Sequence, residues 1–109
     1  MSLDGALCAA VVDYNSGMLL GSKGGQGIDV ELAAAGNTEL MRAKAKTMQA
    51  LGLKDVIEDV LITLTKQYHI LRPSQRVAGI FIYYVLDSGR ANLALARRKA
   101  TDIEAMLTL

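Results

Sequence analysis

Alternating and uninterrupted apolar segments near the start of the chain predict a β-hairpin. Residues 6–12 are apolar at every position, which is typical of a strand buried on both faces. The turn-forming residues 13–17 end in glycine, and they predict a hairpin onto a short strand over residues 18–20. The glycine-rich residues 21–27 then predict a flexible loop.

A long helix is predicted in the middle of the chain. Asp29 is a suitable N-cap, apolar and small residues recur at helical spacing from Val30, and Gly52 is a suitable helix end. The residues that share the main apolar stripe of this helix are Ala34, Met41, Ala45 and Met48.

Three strands and a second helix are predicted in the remaining half. The strands cover residues 59–65, 68–72 and 77–86, and the last is apolar on both faces, so it should be central. Asn92 or a neighbour caps a final helix whose apolar face carries Leu93, Ala96, Ala100, Ile103 and Leu107. This order predicts an α+β fold, a five-stranded antiparallel sheet with helices packed on it, in a single domain over residues 1–109.

Composition excludes several classes of protein. The chain has 109 residues, of which 51% are hydrophobic and 21% charged, so a folded core is expected rather than disorder. A formal net charge of +1 gives no field that would attract nucleic acid or an anionic membrane. The single cysteine, Cys8, rules out an intrachain disulfide and suits a reducing, cytoplasmic location. No apolar run is long enough to span a bilayer, so membrane insertion is not expected.

Residues of catalytic type are sparse and scattered. His69 is the only histidine, and no other nitrogen or sulfur ligand lies at metal-binding spacing, so it is predicted to be a half-buried strand residue. Cys8 lies within an apolar strand and is predicted to be a buried small hydrophobe. The glycine loop lacks the lysine and hydroxyl of a nucleotide-binding loop, and Asp29 would repel an anion there. We therefore predict no catalytic, cofactor or metal site.

Charged residues form two clusters. Asp55, Glu58 and Asp59 precede the third strand and are interpreted as a solvated face. The arginines near the last helix, Arg90, Arg97 and Arg98, are either a contact for an acidic partner surface or the solvent side of that helix, and both interpretations stay open.

Several short motifs occur in a characteristic order along nearly the whole chain. They are Val12-Asp13, Gly17, Ala33-Ala34-Ala35, Leu51-Gly52, Tyr68, Arg72-Pro73 and Asn92-Leu93 followed by Ala94-Leu95-Ala96-Arg97. In this order the chain resembles the Roadblock family of small dimeric adaptor and GTPase-regulating domains. One departure is that many members carry a helix before the first strand, whereas about five residues precede it here.

The resemblance implies a sheet ordered 2-1-5-4-3 and a homodimer that joins third strands edge to edge, with the middle helices side by side. The apolar residues 60–64 support this independently, since an unprotected apolar edge favours pairing. The predicted interface consists of Ala34, Met41, Ala45, Met48, Val60, Leu61, Ile62, Thr63 and Leu64.

The function implied by the resemblance is that of a non-catalytic, homodimeric regulatory or scaffold domain. Its partner would be a small Ras-like GTPase, as for bacterial members of the family, and no cofactor is expected. The alternative is a purely structural dimerisation or adaptor module that holds a larger complex together. A small-molecule sensor is a third hypothesis, and it requires a pocket with polar groups.

Overall fold

The protein forms a single antiparallel sheet with helices on both faces. The structure, a computed structural model, describes residues 6–25, 27–74, 77–90 and 92–105. Its elements in chain order are β1 (Ala6–Asp13), β2 (Leu19–Gly24), α1 (Val30–Ala50), β3 (Val60–Thr63), β4 (Gln67–Pro73), β5 (Ile80–Asp87) and α2 (Leu93–Ala105). The five strands are antiparallel and lie in the order β2-β1-β5-β4-β3. The predicted fold class and strand order are confirmed.

Each face of the sheet has its own core, because successive side chains of a strand point to opposite faces. Under α1 the core contains Cys8, Ala10, Val12, Leu71, Phe81, Tyr83 and Val85, together with Ala34 and Met41 of the helix. Under α2 it contains Ile70, Ile82, Tyr84 and Leu86, together with Ala96 and Ala100. β5 contributes to both cores, so its prediction as a central strand is confirmed.

The ends of α1 follow from local chemistry. The Asp29 carboxylate accepts a hydrogen bond from the Leu32 amide at 3.0 Å, which satisfies one of the free amides of the first turn. At the other end Gly52 has φ +71°, a left-handed conformation in which glycine lacks the steric penalty of other residues. The Leu53 amide donates to the Met48 carbonyl and closes the helix. Both predicted ends are confirmed.

Three strand boundaries differ from the prediction. β2 continues to Gly24 and pairs with Cys8 of β1, so most of the predicted glycine loop is strand. β3 ends at Thr63, because the Leu64 amide turns to donate to the Gln67 carbonyl of the next strand. β5 begins only at Ile80, after a turn in which Gly79 has φ +83°. In each case hydrogen bonding with another segment decides the boundary.

The last helix begins as predicted. Its N-cap is Asn92, whose side-chain oxygen accepts a hydrogen bond from the Leu95 amide at 3.1 Å. Leu93, Ala96 and Ala100 face the sheet, whereas Leu107 and the side chain of Ile103 lie outside the described residues. Neither helix, over its described length, is long and apolar enough to cross a membrane.

Candidate functional site

β3 forms one edge of the sheet. It pairs with β4 on one side only, with Val60 opposite Leu71 and Ile62 opposite His69. Val60 and Ile62 lie on the α1 face of the sheet, and Leu61 and Thr63 lie on the α2 face. The outer backbone amides and carbonyls of this strand therefore have no neighbouring strand in the described part of the chain, which makes it a pairing edge.

The helical part of the predicted interface needs a correction. Ala34 and Met41 are 0% and 3% exposed and pack against the sheet of their own protomer, so they are not available to a second chain. An amphipathic helix turns its most continuous apolar stripe to the core of its own chain. The helical residues of the predicted interface belong to this stripe, which explains why two of them are buried. Ala45 is exposed and Met48 is half-buried, because α1 extends past the core toward its C-terminal end.

The flank of α1 beside β3 borders an open hollow. This hollow has a volume of about 890 Å³, and its walls include Leu40, Ala43 and Thr47 of α1 and Val60 of β3. A second hollow, of about 490 Å³, lies under the end of α1 beside Phe81. The two hollows share several lining residues, including Met48, Leu53 and Val56. The segment over residues 53–57 therefore lies between the two hollows.

Large apolar side chains on this side of the molecule are exposed to solvent. Val56 is 67% exposed, Leu51 66%, Leu53 52% and Leu40 38%. Exposed apolar side chains that form a continuous patch mark interaction sites more often than isolated ones do. We call the patch formed by Leu40, Ala43, Thr47, Met48, Leu53, Val56 and the β3 edge the α1–β3 surface. The predicted interface does not include Leu40, Leu53 or Val56 of this patch. The spacing of Leu40 and Thr47 in the sequence does place these two residues on one flank of the helix.

A chain of polar side chains lies on the α1 face of the sheet, one strand in from the edge. The Tyr83 hydroxyl lies 3.0 Å from Nδ1 of His69, and Nε2 of His69 lies 2.9 Å from Oε1 of Gln67. The Asn37 side chain of α1 lies near the Tyr83 hydroxyl and acts to lower its pKa, whereas burial raises that pKa. Burial lowers the pKa of His69 below its ordinary value. His69 is half-buried, as predicted, but its bonding partners were not foreseen.

One of the three arginines near the last helix forms an ion pair within its own protomer. Arg97 Nε donates to Asp59 Oδ2 at 3.0 Å, and this ion pair joins α2 to the residue before β3. Arg97 is therefore engaged within the protomer. Arg98 is exposed to solvent, as is Arg90 after β5.

The remaining candidates have structural roles. Cys8 is fully buried, and burial raises the pKa of its thiol, which disfavours the reactive thiolate. In the segment predicted to be a glycine loop, the Gly25 amide donates to the Leu7 carbonyl, and the Gly25 carbonyl accepts from the Ile28 amide. These backbone groups are therefore hydrogen-bonded within the protein. Among the described residues, no group of three or more His, Cys, Asp or Glu side chains could hold a metal ion.

Comparison with known proteins finds similarity in structure. No protein-family model matches the sequence, and no curated protein matches it. A Roadblock/LC7 domain from Streptomyces avermitilis superposes with a TM-score of 0.82 at 11% identity, over 95% of this chain and 83% of that one. MglB from Myxococcus xanthus superposes with a TM-score of 0.76 at 20% identity, over 92% and 80%. The gliding protein MglB from Thermus thermophilus gives 0.73 at 14% identity, over 94% and 74%.

The architecture that the resemblance implied is therefore confirmed in its strand order and in its two helices on opposite faces of the sheet. This chain has the fold of the Roadblock/LC7 domains.

Proposed function

We propose that the protein is a non-catalytic regulatory domain that forms a homodimer through the α1–β3 surface and binds a small Ras-like GTPase, whose GTP hydrolysis it modulates. The observation that carries the proposal is the position of the unpaired β3 edge beside exposed apolar side chains of α1 and of residues 53–57. The GTPase partner follows from the resemblance to the Roadblock family and from the shared fold.

A second copy of this chain is the occupant that best fits the surface. In a two-fold dimer each chain offers the same patch to the other, and a short strand can pair antiparallel with itself about the two-fold axis. Val60, Leu61, Ile62, Thr63 and the exposed Leu64 would lie at or next to the strand junction. Ala45, Met48 and Leu40 would approach the α1 helix of the second copy and help to fill the open hollow.

Burial of the exposed apolar side chains supplies the driving force for this association. Each square ångström of apolar surface removed from water contributes roughly 25 cal/mol. Leu53 and Val56 each expose more than half of their surface in the isolated chain. The pairing of backbone groups at β3 adds specificity, since it fixes the register of the two chains.

The partner surface is proposed to include Arg98 and Arg90, which are exposed near α2. The exposed guanidinium group of Arg98 suits the acidic rim of a partner protein. Arg97 contributes indirectly, because its ion pair with Asp59 holds α2 in place relative to β3.

The dimer is tested by the solution mass of the purified protein, measured by light scattering. Wild type is expected to be a dimer, and Ile62→Lys a monomer, because the lysine places a charge beside the strand junction. Leu20→Lys is the matched control, since Leu20 is an exposed apolar residue in β2, at the opposite edge of the sheet. A monomeric wild type, or equal dissociation by both substitutions, would refute the proposed interface.

The GTPase is tested with purified dimer and the small Ras-like GTPases of the same organism. Binding and a changed rate of GTP hydrolysis are expected, and both should weaken in Arg98→Glu. Binding without any effect on hydrolysis would favour a purely structural adaptor, and absence of binding to every such GTPase would refute the proposal.

A further inference from the structure

The polar chain beneath α1 fixes the protonation state of His69. Gln67 Oε1 can only accept a hydrogen bond, so the Nε2 atom that faces it at 2.9 Å must carry the proton. In the neutral ring Nδ1 is then an acceptor, and it faces the Tyr83 hydroxyl at 3.0 Å. Tyr83 donates to Nδ1, and the Asn37 side chain of α1 lies near the same hydroxyl.

A second proton on His69 would reverse the hydrogen bond between Nδ1 and Tyr83. It would sit on Nδ1 and point at the hydroxyl that already donates to that atom. Tyr83 would have to turn its own hydrogen away, beneath α1, where the residue is 2% exposed. The neutral ring thus satisfies both of its nitrogens and the Tyr83 hydrogen, whereas the charged ring leaves that buried hydrogen in need of a new acceptor.

This chain of hydrogen bonds lies next to the proposed dimer interface. Ile62 of β3 is directly opposite His69 in the ladder and on the same face of the sheet. The imidazole is only half-buried in the isolated chain. A second copy paired with β3 would lie one strand away from the ring and would reduce its exposure to water.

We propose that His69 makes the homodimer sensitive to pH, because protonation of this one imidazole takes away the acceptor of the buried Tyr83 hydroxyl and is disfavoured by the second copy. This inference rests on the homodimer of the proposed function. Covering the ring disfavours its charged form further, so the dimer releases the proton more readily than the monomer does. By linkage, acid then shifts the equilibrium toward monomers.

The groups around His69 set the direction of this effect. Burial lowers its pKa. Tyr83 is the titratable neighbour from β5, and burial of its ring raises the pKa of its hydroxyl, so the hydroxyl stays protonated. β3 contributes the uncharged Ile62, and α1 contributes the uncharged Asn37. Lys44 and Glu58 line the adjoining hollow with opposite charges, and Asp59 is held by Arg97.

The test is the dimer dissociation constant at pH 7.5, 6.5 and 5.5, measured by sedimentation on protein without a histidine tag. With two His69 rings per dimer, linkage allows a rise of at most about 100-fold per pH unit. We expect a rise of at least about tenfold from pH 7.5 to 5.5 in wild type. His69→Gln keeps a neutral donor and acceptor on a similar side chain, and its constant should change less than about twofold.

A second measurement is independent of that variant. His69 is the only histidine, so its ring proton signals report one titration by NMR. Its pKa should be lower at protein concentrations above the dissociation constant than below it, and Tyr83→Phe should raise it in both. An equal pKa in monomer and dimer, or an equal pH dependence in His69→Gln, would overturn this inference alone. A protein that is monomeric at every pH would overturn the proposed dimer as well.

Discussion

Replacing Gly25 by alanine is expected to destabilise the protein by about 2–5 kcal/mol. Gly25 has φ +83°, a conformation that costs a residue with a Cβ roughly 1–2 kcal/mol. The added Cβ would also lie 2.8 Å from Val30 Cγ2 and 3.3 Å from Cys8 Sγ. Valine is held stiffly in a helix and Cys8 is fully buried, so the overlap should cost a further 1–3 kcal/mol or so.

Gly27 offers a matched control two residues further on. It has φ +79°, nearly the same as Gly25, but no described residue other than its neighbours in the chain has an atom within 4 Å of the place where its Cβ would be. Gly27→Ala should therefore show only the backbone cost, about 1–2 kcal/mol. The difference between the two variants isolates the steric contact at the start of α1.

The assay is equilibrium unfolding in urea at one fixed protein concentration, because self-association makes apparent stability depend on concentration. Val30→Ala in the Gly25→Ala background removes the closest atom, so the double variant should recover about 1 kcal/mol or more relative to additivity. Equal costs for both glycines, together with additive behaviour of the double variant, would refute the close packing of Gly25 between β1 and α1.

Other expectations follow from single contacts. Asp29→Ala should cost about 1 kcal/mol in the same unfolding assay, because the first turn of α1 loses its cap. Asp29→Ser should retain most of that stability. A loss in the serine variant as large as in the alanine variant would contradict a capping role. A double-mutant cycle with Arg97→Gln and Asp59→Asn should give a coupling energy below about 1 kcal/mol, since the Arg97 side chain is 44% exposed to solvent. A coupling energy of several kcal/mol would mean that the ion pair is far better shielded from water. Phe81→Ala should cost about 3–5 kcal/mol, as the ring is fully buried, and a cost near zero would contradict its place in the core.

The features that the sequence predicted well are those set by neighbouring residues. Asp29 and Asn92 reach backbone amides three residues further along the chain, so their capping roles are visible as local spacing. The apolar alternation of β5 indicated a strand covered on both sides, and it lies in the middle of the sheet. The order of elements, together with the resemblance to the Roadblock family, was enough to predict the strand order.

The predictions that failed depend on residues far apart in the chain. Two residues of the predicted interface, Ala34 and Met41, face the sheet of their own protomer and are not available to a second chain. Helical periodicity shows that a face is apolar but not which surface covers it. Similarly, the backbone of Ser22 and Gly24 was predicted to form a loop, and pairing with β1 makes it a strand.

The sequence by itself determined the class of fold, the helix ends and the scarcity of catalytic residue types, because spacing and residue chemistry act over one or two turns of chain. Only the tertiary structure decided which distant residues meet. The ion pair of Arg97 with Asp59 joins residues 38 positions apart, and the hydrogen bond between Tyr83 and His69 joins two strands. Such contacts form only when the sheet is assembled, since each depends on the positions of elements that have no local influence on one another.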